Sequence, residues 1–216
     1  GLPALTKPTV LAGPPAAPWA DVSLPALPAL APGRFAEQLR NWARESLALC
    51  ALGVTGWSMR FAIAELMSAR LGGVQPNAGS LRRVFDNLAR RGFWHEERVA
   101  VGGLHRTAAG GSAPPAGREE TTLILVRLTD LGREVLQACG VEPIPSEWDR
   151  LRTAHGGSAQ TAHAGLVCTF TYHARRRGYA TLVCPEVAGP AAPDVEVTRP
   201  EGRLYVEVED ESGSSE

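Results

Sequence analysis

The sequence predicts an α+β protein in two parts: three helices with a two-stranded hairpin, then one helix followed by three strands. Three observations carry this. Apolar residues recur at helical spacing between positions 35 and 91. Two apolar, strand-like runs, 93–99 and 121–128, flank a stretch rich in Gly, Ala and Pro. Beyond Pro143 and Pro145, a helical run at 159–177 gives way to strand-like runs at 179–184, 194–198 and 204–209.

Size and composition fit that division. A chain of 216 residues, 44% of them apolar, can form one large domain or two small ones, each with its own core. Nothing approaches the roughly 18 apolar residues in a row that a membrane helix needs. The start lacks both an initiating Met and a basic segment leading into an apolar core. No signal peptide is expected, the chain reads as trimmed at its start, and the expected location is cytoplasmic and nucleoid-associated. Cys50, Cys139, Cys168 and Cys184 lie far apart without a CxxC pair, so they read as four buried thiols of a reducing compartment.

Charge is uneven although the net charge is only -1. Residues 34–100 carry ten Arg against six acids, and residues 194–216 carry eight acids against two Arg. A basic region followed by an acidic end suits a nucleic-acid contact and then a metal-binding or solvated tail. Residues 1–33 hold eight prolines. Proline fixes φ and removes a donor, so this stretch reads as an extended arm, with Trp19 as its one anchor and no legible function.

The first helix carries Phe35, Leu39, Trp42, Leu47 and Leu49 and runs to about Cys50. The second follows Gly56 with Phe61, Ile63, Leu66 and Met67, and stops at Gly72-Gly73. The third starts at Asn77 or Ser80, either of which can cap it, and reaches Arg91 with Gly92 just beyond. On this third helix Leu81, Val84, Phe85 and Leu88 form one apolar stripe, and Arg82, Arg83, Asp86, Asn87, Arg90 and Arg91 lie opposite. Guanidinium and amide groups match base edges and phosphates in a major groove. On an isolated helix the same face would read as ordinary solvated surface. The two strands that follow, joined by the loop 102–118, supply the context of a wing and favour the DNA-reading interpretation.

The run Ser80–Trp94 and the phrase Leu128-Thr129-x-x-Gly132-x-x-x-Leu136 resemble the recognition helix and wing closure of winged helix-turn-helix proteins of the MarR and PadR kind. The resemblance covers about residues 55–138. It implies a DNA-binding domain over 34–140, with Arg82, Arg83, Asn87, Arg90 and Arg91 at the groove and Arg98, His105 and Arg106 on the wing. A linker at 141–158, with a short helical segment around Trp148 and Leu151, would then lead to a small α/β module at 159–216.

In that module Asp194, Glu207 and Glu209 stand where adjacent strands could converge them on Mg²⁺, with Asp194 and Glu207 as ligands. The same acids also suit the exposed outer face of a hairpin. Pro193-Asp194 followed by Glu207-x-Glu209 resembles the PD-(D/E)xK nuclease pattern, with Glu209 where the family has its lysine. That replacement concentrates negative charge and argues for a module that does not cleave. The chain also ends after the third strand, short of the family's full fold. The whole arrangement over about 35–210 is similar to the replication-relaxation family, which implies DNA binding in plasmid or mobile-element replication or its control.

Other residues offer less. His163 and His173 sit about 80° out of phase on one helix, so they share no ligand face, and His163 reads as a surface or capping residue. His155, beside Gly156-Gly157, could approach a phosphate. Arg175-Arg176-Arg177 suits either a helix C-terminus or a phosphate contact. No Ser/His/Asp or Cys/His arrangement and no phosphate-binding Gly motif is legible. The expected partner is double-stranded DNA, with a homodimer open, no membrane and no nucleotide cofactor. DNA binding needs no cofactor, whereas Mg²⁺ would serve the C-terminal carboxylates. Two other functions stay open: a Mg²⁺-dependent nuclease, and a dimeric repressor of MarR/PadR type.

Overall fold

A computed structural model describes residues 22–101, 121–155, 161–188 and 192–209. Among these the chain is mixed α+β, with six α-helices and two antiparallel sheets. The first helix, α1 (Trp42–Thr55), starts later than the apolar spacing suggested. Phe35 and Leu39 still reach the core, but from an irregular lead-in with one short 3-10 turn at Gly33–Phe35. Two contacts set this boundary. The Glu45 carboxylate accepts from the Asn41 backbone N–H at 3.0 Å, and the Trp42 indole donates to the Pro28 carbonyl at 2.6 Å. The helix also runs past Cys50, ending at Gly56, whose left-handed φ of 66° returns its N–H to Leu52 O.

Helix α2 (Arg60–Leu71) and helix α3 (Gly79–Arg90) follow. The expected stripe of α3 is in place, with Leu81, Val84, Phe85 and Leu88 all buried. Strands β1 (Trp94–Val101) and β2 (Thr121–Leu128) pair antiparallel, Trp94 opposite Leu128 and Val101 opposite Thr121. The loop expected to join them, 102–118, lies outside the described residues.

Helix α4 (Asp130–Ala138) gives the Thr-x-x-Gly phrase a physical reason. Thr129 is its N-cap: the hydroxyl accepts from Gly132 N and donates to the Gly92 carbonyl at 2.6 Å. One side chain thus starts α4 and holds the turn that leads out of α3. Gly132 is needed because a Cβ there would fall 2.0 Å from the Phe93 carbonyl oxygen.

Helix α5 (Glu147–Ala154) opens with a capping box between Ser146 and Asp149. It lies within the stretch read as a linker, and its Trp148 and Leu151 belong to the core. Helix α6 (Thr161–Arg175) leads to a second sheet of β3 (Ala180–Val183), β4 (Val195–Arg199) and β5 (Gly202–Val206), paired antiparallel in that order. The last strand differs from the expected 204–209. A tight turn at Pro200 and Glu201 pairs Arg199 with Gly202 and Val195 with Val206. Past that point the Asp194 side chain, not a strand, accepts the Val208 N–H at 2.7 Å, so the ladder stops and Glu207 and Glu209 lie outside it.

One apolar cluster runs from Phe35 to Val197, so the two sheets share a continuous core. Helix α6 lies close against the β1–β2 hairpin because Gly165 has no side chain. A Cβ there would come 2.9 Å from Val101 Cγ2 and 3.0 Å from Val99 Cγ1. No helix among the described residues is long and apolar enough to cross a membrane.

These contacts predict that Gly132→Ala destabilises the protein by about 2–3 kcal/mol through overpacking. Gly79→Ala, where a Cβ meets nothing within 4 Å and the backbone is helical, should not destabilise and should raise stability by up to about 1 kcal/mol. Urea unfolding of the two variants beside the wild type checks both values.

Candidate functional site

The outward face of α3 is built from the residues that its apolar stripe leaves behind. Arg82, Arg83 and Arg90 are exposed and Asn87 is half-buried, all on the face away from Leu81, Val84, Phe85 and Leu88. The Arg90 guanidinium donates to the Asn87 side-chain oxygen, and Arg83 donates to the Gly79 carbonyl at 3.3 Å. Arg82 is 75% exposed and lies 3.9 Å from Asp86, the one acid on this face. Asp86 is itself drawn toward Arg60 of α2 at 3.4 Å. A shallow cleft of about 320 Å³ borders the face, lined by Asn41, Arg44, Ser80, Arg83, Val84 and Asn87.

The other arginines explain why these remain available. Arg60 is held by Glu96 at 2.9 Å while its guanidinium covers the Phe85 ring. Arg127 and Arg133 both reach Asp149, and Arg175 is buried against Glu147 at 2.5 Å. Arg91, expected with the DNA-contacting set, is instead turned inward to Glu45, which is 1% exposed, at 3.6 Å. It is the residue after the last turn of α3, so its side chain returns toward α1. Arg98 is exposed on β1, opposite Ile124. His105 and Arg106 lie outside the described residues. The structure therefore gathers Arg82, Arg83, Asn87 and Arg90, leaves Arg98 on the hairpin, and assigns Arg91 to an internal pair.

The C-terminal acids are arranged differently from the expected trio. Asp194 is buried at the entry to β4, with Oδ1 3.0 Å from His163 Nε2 and Oδ2 accepting from Val208 N. Glu207 and Glu209 are exposed beyond the end of β5. Among the described residues, one group of metal-capable side chains has its ligand atoms within 4.8 Å, and it joins Asp194 to His155 and His163. His163 is thus buried rather than a surface residue, because α6 turns it toward the start of β4. The Pro-Asp dipeptide pointed to Asp194. No local signal pointed to its two imidazole neighbours, which come from other elements.

The three arginines ending α6 also separate. Arg175 is the buried partner of Glu147, Arg176 reaches the Tyr172 hydroxyl at 3.3 Å, and Arg177 donates to the His173 carbonyl at its own helix end. Burial is the main cause that raises Glu65, with Arg176 and the Tyr172 hydroxyl acting against it. Tyr172 is pushed up to about 12, first by burial and then by Glu65. All four cysteines are free; Cys50 and Cys168 are buried, whereas Cys139 and Cys184 are only half-buried. Burial is the leading cause that raises each thiol, Cys50 to about 11, which keeps them protonated and poor nucleophiles near neutral pH.

Compared with known families, curated proteins and solved structures, the chain matches none of them.

The inward turn of Arg91 separates two neighbouring arginines by role. Arg91→Ala leaves the Glu45 carboxylate buried beside the Asn41 N–H alone and should cost about 1–3 kcal/mol. Arg90→Ala should leave stability within about 0.5 kcal/mol. Thermal melting of both variants tests this, and a drop of several degrees is expected for Arg91→Ala only.

Proposed function

We propose that this protein binds double-stranded DNA, with α3 as the reading helix of a winged helix-turn-helix and the β1–β2 hairpin as its wing. The exposed guanidinium and amide face of Arg82, Arg83, Asn87 and Arg90, on a helix whose other side is locked into the core, carries this reading. A rigid helix bearing such groups can enter a major groove, where arginine pairs with guanine and asparagine with adenine. Arg98 on β1 supplies a further cation for the adjacent backbone. The order of three helices followed by an antiparallel hairpin supports the same assignment.

The C-terminal half serves in this proposal as a support that does not cleave DNA. Glu207 and Glu209 stand apart in solvent beyond the end of β5, away from the buried Asp194, and in the sequence pattern Glu209 stands where the nuclease family has its lysine. A role in plasmid or mobile-element replication, or its control, rests on the sequence resemblance alone.

Fluorescence anisotropy on a labelled duplex tests the helix assignment. The double variant Arg82→Ala/Arg90→Ala should lose at least about tenfold in affinity, since each phosphate contact removed takes away part of the salt-dependent binding term. Unchanged binding at low salt by a fully folded variant would remove α3 from the interface. A supercoiled plasmid incubated with Mg²⁺, Mn²⁺ or EDTA should be retarded and not nicked. Metal-dependent nicking that Asp194→Ala abolishes would make the protein a nuclease instead.

A further inference from the structure

Three ligand-bearing side chains from three separate elements meet away from the α3 face. His155 lies just past the end of α5, His163 in the first turn of α6, and Asp194 at the entry to β4. Their ligand atoms all lie within 4.8 Å of one another. The His155 and His163 rings meet edge-on with centroids 5.2 Å apart, and His163 Nε2 sits 3.0 Å from Asp194 Oδ1. The side chains of His163 and Asp194 are only 10% and 12% exposed.

Two features distinguish this cluster from a simple His–Asp hydrogen bond. The Nε2 atom of His155 is buried and has no hydrogen-bond partner among the described residues. A buried imidazole nitrogen left that way is costly unless some other group engages it. Asp194, meanwhile, is oriented from behind: Oδ2 takes the Val208 N–H at 2.7 Å and its carbonyl takes the Cys184 N–H at 2.8 Å. Hydrogen bonds that fix a carboxylate while one oxygen faces two imidazoles are what an outer shell does for a metal ligand.

We propose that His155, His163 and Asp194 form a binding site for a divalent transition ion of the zinc class. Two nitrogen donors and one carboxylate oxygen favour Zn²⁺, Co²⁺ or Ni²⁺ over Mg²⁺, which takes oxygen ligands. Three protein ligands with a fourth position left to water make a recognised zinc arrangement. Zinc bonds of about 2.0–2.1 Å in a tetrahedron bring ligand atoms to roughly 3.4 Å of one another. Rotation of the half-buried His155 ring at the end of α5 would close the difference. The ion would then tie α5, α6 and β4 together. This site shares Asp194 with the expected Mg²⁺ site but not Glu207 or Glu209, and it holds whether or not α3 binds DNA.

The test is a Co²⁺ titration of the full chain after chelator treatment, followed by visible absorption, with competition by Zn²⁺. The wild type should take up one equivalent with d–d bands of nitrogen and oxygen coordination, and millimolar Mg²⁺ should not compete. His155→Ala removes one ligand and, among the described residues, no side-chain hydrogen bond, so its metal-free melting temperature should stay close to that of the metal-free wild type. Its Co²⁺ affinity should fall by at least about 100-fold, as loss of a direct ligand exceeds the 10–100-fold typical of outer-shell partners. One equivalent of Zn²⁺ should raise the melting temperature of the wild type and not that of His155→Ala. Absence of stoichiometric uptake by the wild type, or equal uptake by His155→Ala, would overturn the site.

Discussion

The buried pair of Glu147 and Arg175 ties the second half of this protein to the first, Glu147 through Ser58 and Gly56 and Arg175 through the Trp57 ring. Around it, Glu147 accepts from the Ser58 N–H at 3.0 Å and donates its own N–H to the Gly56 carbonyl at 2.7 Å. The Ser58 hydroxyl accepts from Trp148 N, and the Ser58 carbonyl accepts from Val126 N. Arg175 covers the Trp57 ring and donates to Thr181 at the edge of the second sheet. The loop between α1 and α2, strand β2, helices α5 and α6, and β3 are therefore held at one point. A buried ion pair adds little net stability against an apolar replacement, yet losing one partner typically costs about 3–5 kcal/mol. Its value here is geometric: it holds α5, α6 and β3 against the α1–α2 loop, while the exposed face of α3 is set by the packing of Leu81, Val84, Phe85 and Leu88.

That constraint also explains the distribution of arginine. At four junctions a buried or half-buried acid has drawn an arginine to it: Glu45, Glu96, Asp149 and Glu147. Among the described residues the arginines of α3 have no such buried partner. Asp86 is the single acid among them, and Arg60 shares it. The result is a surface whose positive charge is not spent inside the molecule, next to a wall that the core keeps rigid. The Asp194 cluster lies elsewhere in the fold and uses different chemistry.

Local pattern made the first half legible. The α3 stripe, the two strands of the hairpin and the Thr129–Gly132 phrase all depend on neighbours within a few residues, and sequence spacing records such neighbours directly. The start of α1 was not legible because the Trp42 contact to Pro28 sets it from fourteen residues away. Arg91 was placed with its neighbours on α3 since nothing local announces Glu45. The end of β5 was missed because alternation continues through Glu209, while the capture of Val208 N by Asp194 is a tertiary event. For the same reason the Pro-Asp pattern found Asp194 but not His155 or His163. Three residues on three elements leave no spacing to read.

The dependence of duplex affinity on salt tests the account's central claim most directly. Arg82, Arg83, Arg90 and Arg98 are the cations left facing outward on α3 and β1. If they neutralise four phosphates, log affinity against log salt should fall with a slope of about −3.6. A slope of roughly −3 to −4 on duplex DNA, with weaker binding to single strands, is the predicted result. A flat salt dependence, or tighter binding to single strands than to duplex, would contradict it.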